Sequence, residues 1–419
     1  MPLPPTGLPR DEVIDRLRAL QVGDRDFRAG RTFGLVYHPH DPELEALLVE
    51  VSGMFTFHNG LNPDAFPSLR QMQYEVVEIT AGLLGGADED GLAGFMTSGG
   101  TESILLAVKA AKGRAAVERG VHHPNIVVAV SGHAAFDKAC DYFGIESRRT
   151  SVGDDYRADV DAMADAVDDD TVLVVGSAPA YPQGVVDPIP EIAALAEARG
   201  VNCHVDACMG GFLLPFLERL GRFSKPWDFR VPGVTSMSAD LHKYGYTPKG
   251  ASVVMHRNRT LRRYQTFVFD GWLGGLYGSS GVAGTKPGAP IAAAWAALHF
   301  LGEDGYLRLA AAAHDAATTF VAGVRATPGL TVLGEPEMTL AAIAAADGSD
   351  VDVFAVHDGV SARGWYLDRQ APPDSLHATI HAGHASPVVD EFIADLQAVV
   401  DELGGARTDD RSTKYAALE

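Results

Sequence analysis

Between about residues 95 and 260 the sequence alternates continuous apolar runs with helix-periodic segments, a pattern that few folds accommodate. The apolar runs fall at 125–130, 171–175, 201–205, 233–238 and 251–256; helical spacing marks 102–114, 135–143 and 190–199. Strands that are apolar on both faces, with helices between them, predict a mostly parallel sheet covered on both sides. Ligands of such sheets collect beyond the carboxyl ends of the strands. His133, Asp206 and Lys243 each stand at or just after such an end.

The flanking sequence predicts less regular parts. Residues 1–55 form a lead-in with a helix at 11–20, a loop or short extended segment at 34–37, and a second helix opened by Asp41 as N-cap and Pro42 at the first helical position. A turn-rich stretch at 57–64 continues into a helix from about 67 to 84. The large domain then runs over 56–301 and ends with a Gly-rich segment, 271–288, followed by a helix at 289–301. Helices at 306–325, 351–362 and 388–403, with strands at 330–333 and 378–381, predict a smaller α+β domain over 302–405. The polar tail 406–419 is expected to be disordered.

Composition narrows the partners. A formal net charge of −21 argues against nucleic acid and against an anionic membrane surface. The three cysteines are an odd number without metal-ligand spacing, so neither a disulfide framework nor a metal site is expected. No signal peptide is apparent, and the most apolar run, 291–301, is too short to span a bilayer. The expected protein is soluble and cytoplasmic.

The motifs at the strand ends carry the chemistry. Met96-Thr97-Ser98-Gly99-Gly100-Thr101-Glu102-Ser103 runs directly into a helix. Its glycines let the backbone approach an anion, and the N–H groups and hydroxyls at the helix N-terminus form a phosphate cradle. The helix dipole adds about 0.3–1 kcal/mol. In His204-Val205-Asp206-Ala207-Cys208 a carboxylate ends a buried strand. It could cap a helix or join an ion pair. It could also hold a protonated pyridine nitrogen, through a charge-assisted hydrogen bond of about 1.5–3 kcal/mol. His133, in Ser131-Gly132-His133-Ala134, is placed either to lie flat on an aromatic ring or to serve as a core histidine. Lys243 sits where the strand before Ser238 passes into a Gly/Pro turn ending at Gly250. Most lysines in turns are merely solvated, yet lysine is the usual side chain for holding an aldehyde cofactor as a Schiff base. Phosphate turn, histidine, aspartate and lysine, taken in that order at successive strand ends, make a site for pyridoxal 5'-phosphate.

The segments 97–106, 181–190, 204–212 and 229–250, with 272–288, closely resemble the sphingosine-1-phosphate lyase family, which is grouped with the glutamate and aromatic amino acid decarboxylases. The resemblance runs from about Tyr37 to Asp401, and the run Ser-Ala-Asp-Leu-His-Lys-Tyr-Gly-Tyr from Ser238 is specific within that group. It implies the aminotransferase-like fold type I, an α/β architecture with a small C-terminal domain, in a homodimer whose active sites draw on both subunits. Carried over by position, Lys243 resembles the Schiff-base lysine, Asp206 the pyridine partner and His133 the stacking residue. Ser98, Gly99, Gly100 and Thr101 match the phosphate turn, with Ser238 and His242 as further phosphate contacts and Cys208 as another cofactor contact. Gly284 and Thr285 resemble the segment that reaches the phosphate from the neighbouring subunit. Tyr37, Tyr181 and Lys249 match residues lining the substrate site, with Tyr246 beside them.

Two departures bear on substrate. The lyases read Leu-His-Pro-Asp where this chain has Leu61-Asn62-Pro63-Asp64, and His58 is the candidate to replace the missing histidine. They read Gly-Ser-Arg-Pro-Gly where this chain has Gly284-Thr285-Lys286-Pro287-Gly288, which exchanges a planar fork for a point charge. The resemblance implies retro-aldol cleavage of sphingosine-1-phosphate, or a similar phosphorylated β-hydroxy amine, to phosphoethanolamine and an aldehyde. Two alternatives stay open: an amino acid decarboxylase, with Lys249 or Arg70 holding a carboxylate, and an inactive homologue acting as a binding protein.

Overall fold

The computed structural model describes residues 2–86 and 91–413. Its centre is a seven-stranded sheet built from β1 (Ala93–Thr97), β2 (Asn125–Ala129), β3 (Glu146–Thr150), β4 (Thr171–Ser177), β5 (Asn202–Asp206), β6 (Val234–Ala239) and β7 (Ser252–His256), in the order β1-β7-β6-β5-β4-β2-β3. Strands β2 to β6 pair in parallel, and β7 runs antiparallel to both β6 and β1. Every residue of β2, β4 and β5 is buried; β2 and β4 are apolar through their interiors, whereas β5 carries Asn202, His204 and Asp206. Strand β3, Glu-Ser-Arg-Arg-Thr, was not anticipated. It lies at the sheet edge, where only one side is paired and polar side chains reach water.

A short hairpin, β8 (Phe267–Phe269) and β9 (Tyr277–Ser279), follows. The helices expected at 289–301 and 306–325 lie within Gly288–Ala326 as two helices that meet at a kink, where Gly302 leaves helical geometry at φ 56°. The last part of the chain adds an antiparallel sheet of β10 (Leu330–Val332), β11 (Leu340–Ala345), β12 (Asp368–Gln370) and β13 (Ser375–Thr379), in the order β10-β11-β13-β12. The β11 strand, Leu-Ala-Ala-Ile-Ala-Ala, was also unforeseen, because alanine carries little strand propensity and only burial between neighbours selects it. The tail up to Thr413 is not the free segment expected. The Arg411 guanidinium pairs with Asp352 and Asp374, and Arg369 Nη1 donates to the Asp410 carbonyl. The rest of the tail expected to be disordered, 414–419, lies outside the described residues.

The lead-in divides in two. Helix Arg10–Leu20 buries none of its residues in this chain. By contrast, Thr32 bridges to Tyr366, Phe33 N donates to the Tyr366 carbonyl, and Thr379 N donates to the Phe33 carbonyl, so this strand-like piece joins the small sheet. The Phe33 ring is fully buried among Phe320, Trp365, His384 and Phe392. Asp41 then caps helix Pro42–Met54 as its sequence predicts, accepting from Glu43 N and Leu44 N at 3.1 and 3.0 Å. Tyr37 hangs between these two anchors. Phe33→Ala should therefore cost about 3–5 kcal/mol in urea unfolding. It should also open Arg28 and Arg31 to trypsin before the rest of the chain; unchanged cleavage would show that the segment is held elsewhere.

Candidate active site

Parallel pairing makes Ser177, Asp206 and Ser238 register partners on β4, β5 and β6. The carboxyl ends of these strands and of β2 thus open on one edge of the sheet. The loop after β2 delivers His133, β5 ends on Asp206, and the turn after β6 delivers Asp240, His242 and Lys243. That turn is closed by backbone bonds from His242 N to Ala251 O, Lys243 N to Asp240 O, Tyr246 N to Lys243 O and Thr247 N to Leu241 O.

The Lys243 ammonium donates to Asp240 Oδ2 at 3.0 Å. Asp240 is 2 % exposed, and although burial raises its pKa, Lys243 and His242 hold it below the usual carboxylate range. Sequence reasoning missed Asp240 even though it stands three residues before the lysine. Its contact depends on the tight turn, which no spacing rule announces. His133 is pushed down by burial against the opposing pull of Asp206, so it is neutral near pH 7, and its Nδ1 accepts from Ala135 N at 3.1 Å. Asp206 Oδ1 accepts from Cys208 N and from the Ser238 hydroxyl, both at 3.1 Å.

The expectation that Ser238 contacts a phosphate does not match its position. Its hydroxyl is fully buried, and Cys208 Sγ and His204 Nε2 both reach it at 3.2 Å. Register is the reason: the residue that pairs with Asp206 must serve Asp206. Cys208 likewise bonds to Ser238, and burial pushes its thiol pKa far up, so it stays protonated.

The Ser98–Thr101 turn opens helix Gly100–Arg119. Glu102 accepts from Ser98 N and Oγ at 2.6 and 2.7 Å, and from Val282 N at 2.7 Å. A Cβ on Gly100 would come within 2.7 Å of Cys208 Sγ and 2.9 Å of Asp240 Oδ2, so no larger residue fits. Beside Gly99, whose Cβ position is 3.4 Å from the His242 ring, His242 Nδ1 is buried and has no hydrogen-bond partner. Burial pushes the His242 imidazole down to about 4, so it is neutral near pH 7. An orphaned imidazole nitrogen, two glycines and a helix N-terminus with Lys243 and Asp206 nearby form a site that fits pyridoxal phosphate.

A second group of candidates lines an adjoining cavity of about 490 Å3: Tyr37, Tyr246 and Lys249 at one end, with Phe27, Val36, Leu44, Leu48 and Val49 among its walls. Lys249 is an exposed residue whose ammonium nonetheless turns inward. It donates to the His242 carbonyl at 3.1 Å and lies 4.8 Å over the Tyr37 ring, where desolvation and Lys243 lower it to about 8. Tyr37 donates to Met209 Sδ at 3.5 Å and packs edge-on to Tyr244. Tyr181 is anchored to the small sheet: its hydroxyl donates to Asp368 Oδ2 at 3.4 Å, and its ring lies 3.9 Å from that of His377.

The remaining candidates sit on a different rim. Gly284, Thr285 and Ser98 line a cavity of about 520 Å3 along with Leu61 and Lys286. Lys286 donates to Gln73 Oε1 and the Met96 carbonyl at 2.5 and 2.6 Å, and burial lowers it to about 7. It ties this segment to β1. Asn62 is exposed, and its side chain accepts from Asp64 N and Ala65 N. His58, the candidate for the missing histidine, is half-buried with its ring between Phe55 and Phe66.

Residues 36–345 match the family model for the pyridoxal-dependent decarboxylase conserved domain. Sphingosine-1-phosphate lyase 1 of Rattus norvegicus is 42% identical over 403 residues, covering 96% of this chain and 70% of the relative. Sphingosine-1-phosphate lyase of Arabidopsis thaliana is 43% identical over 398 residues, covering 94% and 72%. The solved sphingosine-1-phosphate lyase of Burkholderia pseudomallei superposes with a TM-score of 0.91 at 40% identity, covering 96% of this chain and 92% of that one. With a fold type I architecture and a cofactor-shaped donor set at the sheet edge, the chain belongs to the sphingosine-1-phosphate lyase family of pyridoxal-phosphate-dependent enzymes.

Proposed function

We propose that this enzyme cleaves sphingosine-1-phosphate or a similar phosphorylated long-chain β-hydroxy amine to phosphoethanolamine and an aldehyde. The 490 Å3 cavity carries the reading, since it joins a cation beside Lys243 to apolar walls. A carboxylate substrate would need the cation but not the apolar walls. Domain organisation is part of the proposal: the break at Gly302 and the separate apolar cluster around Phe33, Phe320 and Phe392 support a small domain after residue 302. So is a cytoplasmic location, supported by Cys140, Cys203 and Cys208 as buried free thiols. Among the described residues no helix is long and apolar enough to cross a membrane.

Pyridoxal phosphate, when bound, supplies a carbonyl that condenses with amines and a ring that takes up the electron pair of the broken bond. Lys243 would hold that carbonyl and yield it to the substrate amine. Asp206 would hold a proton at the ring nitrogen, and neutral His133 would offer a ring face without a competing charge. Gly99, Gly100 and His242 would take the cofactor phosphate, while Lys249 binds the substrate phosphate. Tyr181 Oη is assigned the β-hydroxyl proton: its own hydrogen passes to Asp368 Oδ2, a carboxyl that burial makes more basic than usual. Incubating the cofactor-loaded enzyme with sphingosine-1-phosphate and with a short-chain analogue should yield aldehyde from both, with a lower KM for the long chain. Carbon dioxide from an amino acid panel, with no aldehyde, would sink the reading.

Lys249 sets a pH signature. Its ammonium is present below about pH 8 and lost above it. The kcat/KM should accordingly fall as pH rises through about 8, and Lys249→Met should raise KM by about ten- to a hundredfold while erasing that limb. Lys249→Arg should keep the affinity and move the limb upward.

A homodimer with shared active sites belongs to the same proposal. Phe267, Phe269, Trp272, Leu273, Leu276 and Val282 are exposed next to the Gly284–Lys286 rim, and helix Arg10–Leu20 buries nothing within its own chain. Leu273→Asp should shift the protein from dimer to monomer in light scattering and abolish turnover. A fully active monomer would refute shared sites.

A further inference from the structure

Strands β5 and β6 are paired so that His204 faces Ser236 and Asp206 faces Ser238. Side chains two apart on a strand share a face, so this pairing gathers four polar groups in one buried row. Their exposures are 0 % for His204 and Ser238, 2 % for Ser236 and 7 % for Asp206. Ser236 Oγ lies 2.9 Å from His204 Nδ1, His204 Nε2 lies 3.2 Å from Ser238 Oγ, and Ser238 Oγ lies 3.1 Å from Asp206 Oδ1.

The chemistry of the end group orients the whole row. A carboxylate only accepts, so the single Ser238 proton points to Asp206. Ser238 oxygen must then accept, which puts the imidazole proton on Nε2 and leaves Nδ1 to accept from Ser236. Burial pushes His204 down to about 4, so the neutral ring that this order requires is the one present at neutral pH. Asp206 Oδ1 is thus the oxygen engaged by Ser238 and Cys208 N.

We propose that Ser238 and His204 are positioning residues that hold Asp206 as an oriented anion, with one oxygen engaged and the other kept for the ring nitrogen of the cofactor. The inference rests on Asp206 being the ring partner. Donors to a carboxylate lower its pKa, and their removal raises it. The titratable groups that feel Asp206 are His133 after β2, His204 on its own strand and Cys208 beyond it, with Lys243 and Asp240 across from Cys208. Near neutral pH His133, His204 and His242 are uncharged and Cys208 is a thiol.

The test measures pyridoxal phosphate affinity of the full-length protein by equilibrium dialysis between pH 4 and pH 8. In Ser238→Ala the acid limb of binding should move up by about one pH unit, and in Ser238→Thr it should return to the wild-type position. A limb unmoved in Ser238→Ala would overturn the proposal. Should Ser238→Ala not fold, His204→Gln, which keeps a donor for Ser238, is compared with His204→Leu, which does not. A higher limb in the leucine variant alone supports the relay, and equal limbs refute it. Asp206→Asn separates the two claims. If it keeps the wild-type limb, Asp206 is not the ring partner; if it loses the limb while Ser238→Ala leaves it unmoved, the relay alone fails.

Discussion

Parallel pairing of β4, β5 and β6 in register is the constraint on which the site depends. It puts Ser177, Asp206 and Ser238 abreast and brings the turn with Lys243 to the same edge as the loop with His133. None of these side chains could be moved by one residue without crossing to the other face of the sheet. The buried apolar strands therefore do more than supply a core, because their alternation decides which polar groups meet at their ends.

Much of that was legible in the sequence, for a physical reason. A strand buried on both faces is mostly apolar, so β2 and β4 announce themselves; β5 and β6 follow them in the alternation despite their polar residues, and the residues at their ends can be named. Where burial is one-sided or the side chains are small, the signal fades, as in β3 and β11. The antiparallel direction of β7 was hidden too, since a strand does not encode its direction. Within the site, Lys243, Asp206 and His133 were readable as strand-end residues. Asp240 was not: its importance lies in a turn that folds its carboxylate back onto Lys243 at 3.0 Å. Family likeness put Ser238 with a phosphate, whereas register puts it against Asp206.

The two departures from the family pattern sit together. The Gly60 N–H donates to the Lys286 carbonyl, and Asn59 bridges to Pro287, so the Asn62 loop and the Lys286 segment form a single rim. Lys286 spends its ammonium on Gln73 and the Met96 carbonyl, holding that rim to β1, and Asn62 shapes its own turn. Both act within the chain to set the form of a surface. Their effect on substrate is then indirect, through the proposed partner that this surface would meet.

The electrostatics of the site explain how two phosphates can be handled without confusion. Asp206 and Asp240 contribute negative charge, Lys243 is paired with Asp240, and burial keeps His133, His204 and His242 neutral near pH 7. In the proposed assignment the Ser98–Thr101 turn offers the cofactor phosphate backbone N–H groups and a helix N-terminus. Those are fixed dipoles, matched to a group that stays in place through many turnovers. Lys249, with its pKa lowered to about 8 at the mouth of the apolar cavity, provides a charge that a substrate phosphate can meet and leave. On the proposed assignment the permanent phosphate rests on fixed dipoles and the transient one on Lys249, a division that lets one cleft distinguish the two.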